Sequence, residues 1–203
     1  MKLFSSEREN AMLSVIMGDD TLVKKIGMIC GIDFYPKPQP LFLTYDRPTL
    51  EGYSIKGVAF AKDGGGGEYV LLSDGTIGYS GQETECGRIA ENFVELLELG
   101  LNCAYNWYNY SKTRLMNNLD LLHKEVMKYE PIGKQQFIDA YGDEIGDVDE
   151  LRKDLARTLN LKISDDIDKD ILTRYFITAT REPLYFWENS ETQNRSDDLV
   201  QKE

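Results

Sequence analysis

His123 is the one histidine of the chain, and Cys30, Cys86 and Cys103 are its three cysteines. Any nucleophile–base site built on a serine or thiol would therefore have to use His123, which lies in a leucine-rich helical pattern without a motif around it. A metal site is no better supplied, because no second histidine and no Cys-x-x-Cys pair exists to share an ion. The run Asp165-Asp166-Ile167-Asp168-Lys169-Asp170 resembles a calcium loop at first sight. Counted from Asp166, however, Ile171 and Ile177 stand where such a loop needs glycine and glutamate. Its carboxylates are better placed at the start of a helix, where the macrodipole favours negative charge. The four glycines Gly64 to Gly67 could in principle cradle a phosphate. Asp63 and Glu68 flank them, a strand pattern follows, and the lysine of a P-loop is absent, so a hairpin turn is the expectation. Gly78-Tyr79-Ser80-Gly81 is not a nucleophile elbow, since Gln82 fills the second glycine position. These observations predict no catalytic residues, no metal and no cofactor. Paired carboxylates stay open, because their separation is set only in three dimensions.

The elements that would position these residues are legible in part. Val58–Ala61, Tyr69–Leu72 and Thr76–Tyr79 are short apolar runs joined by the glycine turn and by Asp74-Gly75, which reads as an antiparallel meander. Arg88 to Leu99 reads as an amphipathic helix with Ile89, Phe93, Leu96 and Leu97 on one face and Gly100 at its end. Ser6 and Glu9 open a first helix in capping-box spacing, and Asp19 or Asp20 opens a second that stops at Gly31. Pro36, Pro38 and Pro40 make 35–40 extended, and Leu41–Tyr45 follows as a strand. Tyr53–Ile55 extends the strand that begins the meander. Tyr105–Tyr110 reads as a packing lid. Leu115, Leu119, Leu122 and Val126 mark a helix, a short one follows at Gln135–Tyr141, and Asp147 caps another with Leu151, Leu155 and Leu159. A last helix begins at Ser164 or Asp165, and Leu184–Trp187 reads as a strand or a docked aromatic segment. The fold class is thus α+β, a small, mostly antiparallel sheet at residues 41–80 packed against helices. Residues 1–110 form the core, 111–187 a helical extension, and 188–203 a polar, disordered tail. One core holding Phe60, Val70, Leu72, Ile77, Phe93 and Leu97 is expected.

Composition bounds the function. The chain has 203 residues, 41% hydrophobic content and a net charge of −12. That charge opposes a nucleic-acid surface, which needs a basic footprint, and suits a basic partner. Residues 141–203 alone carry 16 Asp/Glu against 9 Lys/Arg. The odd cysteine count fits a reducing compartment, no run approaches the ~18 apolar residues that mark a bilayer span, and the start MKLFSSEREN lacks an apolar signal region. A cytoplasmic protein without membrane contact is expected.

The ordered set Phe60-Ala61-Lys62-Asp63-Gly64-Gly65-Gly66, Glu68-Tyr69-Val70-Leu71, Asp74-Gly75-Thr76-Ile77 and Ile89-Ala90-Glu91-Asn92-Phe93-Val94-Glu95-Leu96-Leu97 resembles the SMI1/KNR4 family of the SUKH superfamily. The family's usual opening is not clear here, and nothing beyond Trp107 matches. The resemblance implies a non-catalytic protein-binding module. Bacterial members are commonly immunity proteins that neutralise a toxin domain by occlusion, and fungal members regulate growth and cell-wall signalling. An acidic chain of this size would then meet a basic toxin domain through carboxylates near the sheet and its loops. The candidates are Asp46, Asp63, Glu68, Asp74, Glu83 and Glu85, with Tyr69 and Tyr79 as aromatic contacts and Trp107 as a further apolar anchor. Asp63, Glu68 and Asp74 flank turns and are expected to be exposed, so that reversal to lysine would slow association without unfolding the chain. The alternatives are a regulatory or scaffolding module without a toxin partner, and a small-molecule enzyme with a carboxylate-based site.

Overall fold

Strand alternation sets the architecture. In the computed structural model, which describes residues 2–40, 51–81, 85–103, 107–189 and 192–202, β3 (Gly57–Lys62), β4 (Glu68–Leu72), β5 (Ile77–Ser80) and β6 (Glu85–Ala90) form the expected antiparallel meander. β1 (Asp33–Pro40) adds antiparallel to β3, and β8 (Asp197–Asp198) adds parallel to β6. The sheet therefore runs β1-β3-β4-β5-β6-β8. Successive side chains point to opposite faces, and both faces are covered. Tyr69, Ile77, Tyr79 and Ile89 join the main core under the helices, whereas Val70, Leu72 and Cys86 pack with Tyr185 and Trp187 in a second cluster. The single core expected from sequence is thus two cores, one on each side of the sheet. A two-stranded ribbon of β2 (Glu51–Tyr53) and β7 (Trp187–Asn189) accompanies that second face, so Tyr53 belongs to this ribbon rather than extending β3. The Pro36–Pro40 stretch is the edge strand β1, where absent N–H groups blunt the edge against further pairing. The strand expected at Leu41–Tyr45 lies outside the described residues.

Local capping explains the first helices. Ser6 accepts from the Glu9 N–H at 3.4 Å to start α1 (Glu7–Met17). The Glu9 carboxylate does not return to Ser6; it accepts from the Phe93 N–H at 2.7 Å and ties α1 to the start of α3 (Phe93–Asn102). Asp19 caps α2 (Asp20–Cys30), which ends at Gly31 with φ of +65°. The helix expected from Arg88 begins only at Phe93, because Asn92 caps it and the six residues before Glu91 form the fully buried strand β6. Gly100 lies inside α3 rather than ending it.

The second half departs further. After the 3-10 turn Trp107–Tyr110 and the single turn α4 (Thr113–Met116), the two helices expected around Leu122 and Gln135 are one, α5 (Leu119–Ile145), running through Pro131. The missing N–H is tolerated because Pro131 and Met127, whose carbonyl loses its bond, both lie on the solvent side. α6 (Val148–Leu159) starts at Asp147 as expected. The last helix is split into a π-helical turn, Asp168–Leu172, and α7 (Thr173–Ala179). The expected disordered tail is a correction: β7 and β8 order it, and Leu199 and Val200 are buried.

Candidate functional site

Some of the carboxylates singled out by the sequence turn inward. Asp63 Oδ2 accepts from the Tyr79 hydroxyl at 2.6 Å, and Asp63 Oδ1 accepts from the Gly67 N–H at 2.8 Å. The glycine turn is thereby closed on its own acid. Gly67 is required there, because a Cβ would come within 2.3 Å of the Tyr79 hydroxyl oxygen. Burial, reinforced by Asp63, pushes the Tyr79 phenol far above its usual value, so it serves as a permanent donor. Tyr69 donates to the Gly31 carbonyl at 3.3 Å and packs against Tyr79 with ring centres 5.5 Å apart. Trp107 continues the column, 5.4 Å from Tyr79 and 6.0 Å from Tyr175. Tyr175 in turn meets the Ser111 hydroxyl. The two tyrosines proposed as surface contacts are thus core residues, and the packing-lid reading of the 107–110 turn holds.

The remaining candidates divide, two being buried while Asp74 is exposed as expected. Glu68 is buried and accepts from the Tyr35 hydroxyl at 3.2 Å. Burial and the Glu68 charge raise the Tyr35 phenol to about 12. Glu85 is also buried, against Gly81. Asp74 accepts from the Thr76 N–H at 3.1 Å and hydroxyl at 2.7 Å, and pairs with Arg88 at 2.7 Å. The expected exposure of Glu68 is therefore corrected, and Asp63 and Asp74 carry structural bonds. Asp46 and Glu83 lie outside the described residues.

Two arrangements were not foreseen. Arg88 is 1% exposed, with its guanidinium bound to Asp74, to the Thr76 hydroxyl and to the carbonyls of Arg181 and Pro183. His123 Nδ1 lies 3.3 Å from Asp168 Oδ2, a carboxylate that is 5% exposed and opens the π-helical turn. Two more carboxylates of that acidic run meet cations: Asp170 meets Lys162 and Arg174, and Asp166 meets Lys169. A charge alternation in Asp168-Lys169-Asp170 hinted at such pairing; the depth of Arg88 had no signal in the sequence. Chemically, Arg88 holds a turn and a chain crossing in place through charge-assisted hydrogen bonds.

No family model matches the chain, and no curated protein or solved structure matches it. Among the described residues, no helix is long and apolar enough to cross a membrane.

Proposed function

We propose that the chain is a non-catalytic, cytoplasmic protein-binding module of the SMI1/KNR4 (SUKH) kind, an immunity-type protein that occludes the active site of a basic toxin domain. The observation that carries the reading is the folded order from Gly57 to Asn102 in a chain of net charge −12. A strand, the acid-closed glycine turn, a second strand, the Asp-Gly turn and a third strand follow one another in the order of the resembling segments; of the last segment, Phe93–Leu97 lie in α3 while Ile89 and Ala90 end β6. Opposite fields would steer a cationic partner to such a chain and would be screened within about 8 Å at physiological salt.

Cross-linking in the source cells followed by identification of the attached protein tests the reading. A basic protein whose activity is abolished at one-to-one stoichiometry, with association slowing as salt rises, is the expected result. A partner without toxic activity would favour a scaffolding role. Turnover of a small molecule by the isolated chain would overturn the reading.

A further inference from the structure

An open groove of about 710 Å³ separates α2 from the second half of α5, with the start of β1 and the β3–β4 turn at its end. One wall presents Val23 and Met28; the other presents Phe137 and Tyr141, whose rings lie 4.9 Å apart. Tyr141 is 45% exposed. Glycines at Gly27, Gly31, Gly64 and Gly133 keep side chains out of the space between the walls. The size suits a few side chains of an incoming segment.

The electrostatics of this groove select its occupant. Asp20 and Asp33 line it with exposed carboxylates, and Lys24 is the single cation among its lining residues. The neighbouring Lys25 and Lys134 are turned toward α6, where they pair with Asp154 and Asp149. α2 ends at the groove and α5 ends just beyond Tyr141, and neither has a basic residue in its last turn. Their carbonyl ends therefore add negative potential that no cation in either last turn offsets. A second copy of this chain, itself at −12, is repelled.

We propose that the groove is the docking site for a cationic segment of a partner protein, an aliphatic or aromatic side chain flanked by Lys or Arg. The apolar residue sits between Met28 and the Phe137–Tyr141 pair, and the flanking cations meet Asp20 and Asp33. The inference rests on the protein-binding reading and places the contact on α2 and α5 instead of on the loops of the sheet.

The test uses the full chain and two synthetic 12-residue peptides, one with Leu and Trp flanked by Arg and Lys, the other with Glu at every basic position. Binding is followed by amide chemical shifts and by fluorescence anisotropy at low and high salt. The basic peptide should shift amides of α2 and of residues 131–142, and the acidic one should not bind. Tyr141→Ala should weaken binding about tenfold, as loss of a central aromatic anchor does. Asp20→Asn with Asp33→Asn should weaken it about fivefold at low salt and less at high salt, as partly screened pairs do. Circular dichroism establishes that the variants stay folded. Shifts mapping elsewhere, equal binding of both peptides, or no binding overturn the groove assignment. Self-association in sedimentation that Tyr141→Ala abolishes would make the occupant a second copy and overturn it too. If a cross-linked natural partner binds both variants at full strength, the groove is wrong while the protein-binding reading stands. If the chain proves to have no protein partner, that reading falls.

Discussion

The Arg88 guanidinium lies 2.7 Å from the Asp74 carboxylate, so the Asp-Gly turn that is plainest in the sequence supplies the counter-charge of a buried arginine. The same guanidinium reaches the carbonyls of Arg181 and Pro183 and thereby fastens the segment after α7 to the end of the sheet. Removing one partner of a fully buried pair costs ~3–5 kcal/mol, and with Arg88 1% and the Asp74 side chain 33% exposed this is an upper bound here. Arg88→Ala should lower stability in urea unfolding by up to that order, since it also leaves the Arg181 and Pro183 carbonyls without their donor. Asp74→Lys should be worse than Asp74→Asn, since it places a second cation beside Arg88. A fully stable Asp74→Lys variant would show that the pair holds nothing together.

The same contact predicts a pH dependence. Burial alone would raise the Asp74 pKa, but hydrogen bonds from Thr76 and Arg88 outweigh it and hold the carboxyl at about 2, below its ordinary 3.8. A depressed folded-state value means that the unfolded chain takes up the proton first. The stabilisation is therefore complete above pH 3.8 and is lost as pH falls toward about 2. Acid unfolding followed by tryptophan fluorescence should show a shallower slope across this window for Asp74→Asn than for the parent chain. Equal slopes would count against the linkage.

The meander, the first two helices and the caps at Ser6, Asp19 and Asp147 were readable because each rests on neighbours in sequence. What escaped depended on distant packing. Glu85-Cys86-Gly87-Arg88 shows no clean alternation, since its charged members are buried through contacts with Gly81 and with the 181–183 segment. Gly100 looks like a helix stop until α2 is laid against it. Of the acidic residues beside the turns, Asp74 is exposed as expected, but Glu68 is buried and Asp63 half-buried, because Tyr35 and Tyr79 reach them from other strands. The groove residues Met28, Phe137 and Tyr141 come from helices far apart in the chain, so no local pattern could have joined them.

Gly100 gives a test of that packing. A Cβ there would lie 2.7 Å from Cys30 Cβ and 3.1 Å from the Cys30 backbone, so α2 and α3 touch only because glycine is present. Alanine adds about 1 kcal/mol of helix propensity, but overpacking costs about 1–3 kcal/mol. Gly100→Ala should therefore destabilise the protein. Gly142→Ala on α5, where the nearest neighbour is Ile138 at 3.8 Å, should be neutral or stabilising. If chemical denaturation ranked the two variants the other way, the α2–α3 contact would be wrong.

Thiol chemistry reports on the same region. Cys30, Cys86 and Cys103 are all buried. Burial pushes the Cys30 thiol up to about 12 and raises Cys103 well above its usual value. The thiolate is the nucleophile, so a disulfide reagent at pH 8 should label the folded chain slowly and all three cysteines quickly in denaturant. Rapid labelling of Cys30 in the native state would contradict its placement between α2 and α3.

The strand after Ser196 decides whether the last residues belong to the fold. Leu199 is 2% exposed and sits directly on Gly87, where an added Cβ would lie 2.5 Å from Leu199 Cβ. The Leu199 N–H donates to the Cys86 carbonyl at 3.2 Å, and Gln201 exchanges backbone bonds of 2.9 Å with Ser111 and Thr113. These residues therefore cross-link β6 to the segment before α4, two regions that the sequence reading assigned to different domains. Deleting residues 189–203 removes both links and uncovers the Cys86–Gly87 face of β6, so the melting temperature should fall. Leu199→Ala in the full chain should cost ~2–5 kcal/mol, the range for a buried leucine. Hydrogen exchange separates this from a tail that merely rests on the surface: the amides of Leu199 and Gln201 should exchange as slowly as those of β6. If both exchange at the rate of a free peptide and the deletion leaves the melting temperature unchanged, the polar composition of the tail was the better guide and β8 does not form.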